Sequence, residues 1–398
     1  MIITMNKTRT RFAPSPTGYM HIGNLRTALF EFLIAKHEGG DFLLRIEDTD
    51  QERKVEGAVD VIYKTLKECG LNWDEGPDIG GDFGPYVQSE RLPMYKGYAE
   101  DLIKLGGAHY CFCSEEEIEA QRKEAESLGI SFKFNDPCKH LSAEEVQAKL
   151  DAGEPYVIRQ TIKDVGETYF DDEVYGRIEV DGDVLDEQIL IKSDGYPTYN
   201  FANIIDDHQM QISHVVRGNE YLSSTPKYNL IYDAYGWQRP TYVHVPPVMK
   251  DEHHKLSKRN GDASFQDLVA KGYLPDAIMN YIALLGWAPE TEQEIYTLDE
   301  LIKVFNIHRI SKSPAIFDID KLTWMNGVYL RNMDEETYYE TVRPYLEKAV
   351  HGPYNLKEIA KIIQPRIDIL NQIEESVDFF DTCLLYTSPS PRDKRQSR

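Results

Sequence analysis

Arg11-Phe-Ala-Pro-Ser-Pro-Thr-Gly18-Tyr-Met-His21-Ile-Gly23-Asn24 lies between a short apolar run and a strongly periodic one. Leu25, Ala28, Leu29, Phe32 and Leu33 recur at helical spacing and Gly39-Gly40 stops the run, which predicts a helix from Leu25 to His37 with Asn24 as N-cap. Such a helix turns its unpaired N–H groups and the positive end of its dipole toward the loop, a candidate site for a polyphosphate such as that of ATP. Gly18 and Gly23 permit close backbone approach there, and His21 falls within reach of a phosphate.

Working outward, a strand from Thr8 to Phe12 precedes the loop and a second from Phe42 to Ile46 follows the helix. Ala58, Val59, Ile62 and Leu66 then mark one face of another helix. This β-α-β-α run is the first half of a doubly wound parallel sheet of Rossmann type, an α/β fold. Arg45-Ile-Glu47-Asp-Thr-Asp50 sits at the carboxyl end of the second strand, the edge at which open α/β sheets bind ligands. From Tyr86 to Tyr196 regularity is lost: acidic helices (Ser114 to Ser127, Ser142 to Asp151) alternate with strand-like runs (Val157 to Ile162, Gly176 to Val180), an α+β insertion. Gln188 to Ile191, Ile212 to Val216 and Tyr242 to Val245 are expected as strands of the second half of the sheet, with helices at Tyr199 to Ile205 and Thr225 to Tyr235. Beyond Gly261 the pattern is all-helical: Pro275 to Leu285, Leu298 to Val304, Asp318 to Gly327 and Glu335 to Val350.

The expected division is 1–88 and 191–250 for the two halves of the sheet, 89–190 for the insertion, 251–333 for a Lys-rich loop and helical domain, 334–383 for the start of a further helical domain, and 384–398 for a tail. Ser, Pro and Arg without periodicity cannot bury a core, so the tail is expected to be disordered and foreign to a truncated gene. Met5 is an alternative start to Met1.

With 398 residues the chain exceeds one compact core and divides into roughly two to four domains. Hydrophobic residues at 41% and charged ones at 28% are those of a soluble globular protein, and no run approaches a membrane span or a signal-peptide core. A cytoplasmic protein is expected. The net charge of −23 excludes indiscriminate binding to nucleic acid, because affinity for phosphate backbones comes from clustered Lys and Arg. A nucleic-acid partner then requires the basic residues to gather on one face. Five cysteines, an odd number with no export signal, argue against disulfides.

Lys255-Leu-Ser-Lys258-Arg259 follows His253-His254 and precedes Asn260-Gly261. A mobile cationic loop of this kind complements a triphosphate opposite His21. Together the two stretches resemble the ATP signatures of class I aminoacyl-tRNA synthetases, and their flanks resemble the bacterial glutamyl-tRNA synthetases, over residues 8–383. One departure is Asn24, where the superfamily's first signature usually ends in a second histidine. The resemblance implies ATP-dependent ligation of L-glutamate to tRNA(Glu) through a glutamyl-adenylate, with Mg²⁺, by a monomer whose 89–190 segment meets the acceptor stem and whose 334–383 segment begins an anticodon-binding domain. It implies catalytic roles for His21, Lys255 and Lys258, and an ATP site that adds Gly18, Gly23, Asn24, Glu220, Leu256, Ser257 and Arg259. Glutamate would be held by Arg11, Ala13, Ser15, Glu47, Tyr199, Asn203 and Arg217. Arg11 is favoured for the side-chain carboxylate and Glu47 for the ammonium.

Cys111-Phe-Cys113 is followed by Cys138-Lys-His140. Three thiols and an imidazole fill the tetrahedral preference of zinc with no open position, so Cys111, Cys113, Cys138 and His140 form a candidate structural Zn²⁺ site. A matching arrangement occurs in some glutamyl enzymes. Alternatives are the short paralogue that glutamylates a modified base in tRNA(Asp), which normally ends soon after the Lys-rich loop, and an inactive tRNA-binding zinc protein.

Overall fold

β1 (Arg9–Phe12) and β2 (Asp41–Leu44) pair in parallel, Arg9 opposite Asp41 and Phe12 opposite Leu44, in the computed structural model, which describes residues 7–50, 55–163, 166–256 and 264–382. Between them runs α1 (Ile22–His37), and α2 (Ala58–Glu68) follows. α1 begins earlier than the periodicity predicts, because the N-cap is His21 and not Asn24: its Nδ1 accepts the Gly23 N–H at 3.0 Å, as an Asp or Asn oxygen would. Buried between the sheet and later helices, α1 hides Leu25, Leu29 and Leu33 completely. Each such leucine contributes about 1.5–3 kcal/mol.

The inserted segment holds α3 (Leu92–Lys104), β3 (Ala108–Cys111), α4 (Glu115–Ser127), α5 (Ala143–Asp151), β4 (Val157–Gln160), β5 (Glu167–Asp172), β6 (Gly176–Asp181) and β7 (Ile189–Ile191). The two acidic helices begin in capping boxes, Ser114 with Glu117 and Ser142 with Glu145, so their first-turn carboxylates face the positive helix ends. Contrary to the sequence expectation, β7 is not a strand of the parallel sheet. It pairs antiparallel with β4, which pairs antiparallel with β3, closing a three-stranded sheet of the insertion's own. The β5–β6 hairpin does the reverse: it leaves the insertion and joins the parallel sheet through Asp172 opposite Tyr242.

α6 (Tyr199–Gln209), β8 (His214–Gly218), α7 (Thr225–Tyr235) and β9 (Thr241–Val245) complete the doubly wound half. β8 and β9 are parallel with Arg217 opposite His244, and Ser213 N–H donates to Arg9 O at 2.9 Å, bringing β8 alongside β1. β10 (Val248–Met249) precedes the Lys-rich loop. α8 (Phe265–Ala270), α9 (Pro275–Ala283), α10 (Leu298–Val304), β11 (Ala315–Ile316) and the helices α11 (Ile319–Asn332), α12 (Glu335–Ala349), α13 (Leu356–Ile363) and α14 (Ile373–Thr382) follow. The apolar face of α13 packs within the chain: Ile359 and Ile363 are buried with Val342 and Leu346 of α12 and Val377 of α14. Among the described residues no helix is long and apolar enough to cross a membrane.

Candidate active site

At the carboxyl ends of β1, β2 and β8 the fold leaves a cavity of about 420 Å³. The loop after β1 supplies Ala13, Ser15 and Thr17, α1 supplies Asn24, Thr27 and Glu31, and the chain after β2 supplies Glu47, Thr49 and Asp50. β8 and the turn beyond it supply Arg217, Glu220 and Tyr221, whose ring is 5.4 Å from that of Tyr199 at the start of α6. The cavity therefore gathers Arg11, Ala13, Ser15, Asn24, Glu47, Tyr199, Arg217 and Glu220 of the expected set. Asn203, one turn along α6 from Tyr199, is buried and does not line it.

The floor is a buried charge network. Arg11 donates from Nε and Nη2 to the two oxygens of Asp207 at 2.8 and 3.2 Å, and from Nη1 to Glu31 Oε1 at 3.2 Å. Arg45 donates to the same Asp207 at 2.8 Å and to Glu47 at 3.1 Å. The adjacent Asp206 accepts from Arg91 at 2.7 Å, Gln88 at 2.8 Å and Tyr95 at 2.9 Å. Burial opposes charge on Arg11 and Arg45, but their carboxylate partners together outweigh it, Asp207 foremost, with Glu31 beside Arg11 and Asp206 and Glu47 beside Arg45, and both pKa values rise. Burial equally opposes charge on Asp207, and the two guanidiniums overcome it, keeping that carboxylate below its usual range. The two glutamates lie on the other side of the balance. Burial pushes Glu47 up to about 7 against the pull of Arg45, and raises Glu31 well above the carboxylate range despite Arg11.

Arg217 is placed differently. Its Nε donates to His244 Nε2 at 3.0 Å and its Nη2 to Thr225 Oγ1 at 2.6 Å, with the rings of Tyr228, Tyr221 and Tyr242 packed around the guanidinium. Among the described residues it has no carboxylate partner. Arg11, expected to meet the side-chain carboxylate, lines the cavity with its two edges on Asp207 and Glu31, whereas Arg217 brings an unanswered positive charge to it. Asp207 and Glu31 were missed in the sequence. The one signal was Asp206-Asp207 directly after Phe201-Ala-Asn-Ile-Ile205, two acids continuing an apolar helix.

The start of α1 meets the beginning of the Lys-rich loop. With Nδ1 accepting from Gly23, His21 carries its proton on Nε2, which lies 3.0 Å from Leu256 O. His21 also bridges to Ser264, and Phe265 N–H donates to Met20 O at 3.1 Å. The two signature stretches are thus in contact, with exposed Lys255 next to Leu256. Ser257, Lys258 and Arg259 lie outside the described residues. Gly18 has φ of +109°, a left-handed conformation open to glycine, and a Cβ on Gly23 would meet His21 Nδ1 at 3.2 Å.

In the insertion, ligand atoms of Cys111, Cys113, Cys138 and Asp136 lie within 4.8 Å of one another, and the sulfurs of Cys113 and Cys138 are 3.6 Å apart. That matches the spacing of about 3.8 Å between thiolates sharing a tetrahedral zinc with bonds of ~2.3 Å. The fourth group differs from the sequence expectation. Cys138 and His140 share the short 3₁₀ turn Pro137–His140, in which residues two apart point to different sides, so Cys138 is buried and His140 exposed. Asp136 stands in the cluster instead, held by His109 Nε2 at 2.9 Å and the Cys138 N–H at 2.9 Å. Burial pushes the Cys111 thiol up to about 11 and Cys113 higher still, which favours the protonated thiols.

A helix start that meets Leu256 at the carboxyl edge of a parallel sheet is the architecture of a class I synthetase catalytic core. Residues 7–324 match the family described as tRNA synthetases class I (E and Q), catalytic domain. The glutamate–tRNA ligase of Clostridium botulinum strain Hall is 60% identical over 382 residues, which span 96% of this chain and 79% of the relative. That of Clostridium tetani is 59% identical over 386 residues, with the same two shares, 96% and 79%. A crystal structure of a glutamate tRNA ligase from Elizabethkingia meningosepticum, in complex with its amino acid, superposes with a TM-score of 0.89 at 37% identity, covering 94% of this chain and 80% of that one. The chain belongs to the class I tRNA synthetases and, within them, to the glutamate–tRNA ligase family of enzymes.

Proposed function

We propose that this enzyme activates L-glutamate with ATP and transfers it to tRNA(Glu). The observation that carries the proposal is the cavity that sets the unanswered guanidinium of Arg217 against the Glu47 carboxylate, with His21 and the Lys255–Leu256 backbone beside it. Glutamate brings two carboxylates and one ammonium. Arg217 takes a carboxylate directly, Glu47 answers the ammonium, Arg11 contributes positive charge from the floor, and Ala13, Ser15, Tyr199 and Asn203 shape the surroundings.

In the first step the α-carboxylate oxygen attacks the α-phosphorus of ATP and the bond to the bridging oxygen breaks, expelling pyrophosphate. In the second a hydroxyl of the tRNA's terminal adenosine attacks the acyl carbon, releasing AMP. No protein nucleophile takes part. His21, Lys255 and Lys258 serve the phosphates, and Gly18, Gly23, Asn24, Glu220, Leu256, Ser257 and Arg259 complete the ATP site with Mg²⁺. Cys111, Cys113 and Cys138, with Asp136 beside them, would hold a structural zinc in the 89–190 segment, where the acceptor stem docks. The segments 251–333 and 334–383 serve as the stem-contact domain and the start of the anticodon-binding domain.

The test is charging with labelled glutamate of purified tRNAs for glutamate, glutamine and aspartate. Acceptance by tRNA(Glu) supports the proposal, and label on tRNA(Asp) alone would replace it with modification of a base in that tRNA.

A further inference from the structure

β5 belongs by sequence to the inserted segment, yet its last residue, Asp172, is delivered by the pairing with β9 to the back of the amino-acid cavity. Asp172 Oδ2 lies 2.6 Å from His244 Nδ1 and accepts the His244 backbone N–H at 3.0 Å, while Oδ1 accepts the N–H groups of Val174 and Tyr175 at 2.9 and 2.8 Å. Across the same ring, His244 Nε2 faces Arg217 Nε at 3.0 Å and Thr225 Oγ1 at 3.3 Å. Arginine Nε–H can only donate, so Nε2 is bare and the ring is neutral, with its proton on Nδ1 donated to Asp172. His244 is wholly buried, and burial lowers its pKa against the pull of Asp172, in keeping with a neutral ring.

We propose that Asp172 and His244 are positioning residues for amino-acid recognition: Asp172 sets the tautomer of His244, and His244 sets the plane of the Arg217 guanidinium. This rests on the proposal that Arg217 receives a substrate carboxylate. A carboxylate in contact with Arg217 would fix it equally well but would cancel the charge the substrate needs. A neutral imidazole accepts one N–H and leaves the charge free, while removing rotamer freedom that binding would otherwise have to freeze. The hairpin of the inserted segment is by this route part of the amino-acid site, and displacing it from β9 disturbs Arg217.

The experiment is calorimetric titration of the full chain with L-glutamate, with ATP as the control ligand. His244→Leu removes the acceptor and is expected to weaken glutamate about ten- to a hundredfold while ATP moves by less than about threefold. His244→Gln, whose side-chain carbonyl can accept from Arg217, restores most of that loss, and Asp172→Ala weakens glutamate about tenfold. Leucine as good as wild type, or glutamine as poor as leucine, overturns the inference. Nitrogen-15 NMR of the wild-type histidines tests it without relying on a variant's folding: an Nδ1-protonated ring with bare Nε2 is expected for His244, and an Nε2-protonated ring overturns the inference. Arg217→Ala separates the two levels. If it loses glutamate but not ATP, the underlying proposal stands whatever the His244 variants do, and if it binds glutamate like wild type both fall.

Discussion

Beneath the cavity, Asp207 sits 2.8 Å from both Arg11 and Arg45, whereas in the insertion Cys113 and Cys138 face each other at 3.6 Å as thiols whose neighbours include the carboxylate of Asp136. Both are polar clusters inside packed structure. The first carries its counter-charges within the chain: opposite charges meet at hydrogen-bonding geometry, and Arg217 lines the cavity above them with no carboxylate partner among the described residues. The second gathers three thiols around the Asp136 carboxylate, which Arg159 Nε approaches at 3.4 Å. A site that must work on arrival of substrate carries its counter-charges within the chain, while a site that only holds shape can leave the central charge to a metal.

The largest expected effect breaks the second region. Structural zinc contributes ~10–16 kcal/mol of apparent binding free energy in small zinc peptides, so chelation or Cys138→Ser should release about one equivalent of metal and loosen β3, β4 and β7. Metal analysis together with hydrogen exchange checks both. The pair Asp136→Asn and His140→Ala then tells which side chain completes the site: the structure expects His140→Ala to keep its metal.

Next comes the first region. Asp207→Ala leaves Arg11 and Arg45 buried with too few counter-charges and should destabilise the protein by ~3–5 kcal/mol in chemical denaturation. A loss below ~1 kcal/mol would mean that Asp207 does not balance the two guanidiniums, and the comparison would fail.

Glu47 sharpens the comparison, because burial there disfavours the charged carboxylate. Its folded pKa of about 7 lies above the ordinary value of 4.5. The folded state therefore binds the extra proton, and stability falls as pH rises from 4.5 to about 7. Glu47→Gln should accordingly stabilise the fold by up to ~3 kcal/mol at pH 8 and by little near pH 4. Glutamate affinity should drop in the same variant. Denaturation curves at the two pH values, with a glutamate titration, decide. Equal gain at both would show that Glu47 is not the titrating group.

The smallest effect is local. Ser114→Ala removes one half of the capping box of α4 and should cost ~1 kcal/mol, read as faster hydrogen exchange in that helix, with charging little changed.

Much of the fold could be read along the chain because it is written in near-neighbour spacing. Leu25, Ala28, Leu29, Phe32 and Leu33 specify α1, and Ser114 and Ser142 with the glutamates three residues on specify where the acidic helices begin. The two signature stretches also announced a shared site, and His21 does touch Leu256. Tertiary structure decided the partners. A strand's sequence fixes which faces are apolar but not which edge it joins, so β7 and the β5–β6 hairpin exchanged the sheets expected for them. Likewise Arg11 and Asp207, Arg217 and His244, and Cys113 and Asp136 are far apart in sequence, and a charge carries no record of its counter-charge until the chain has folded.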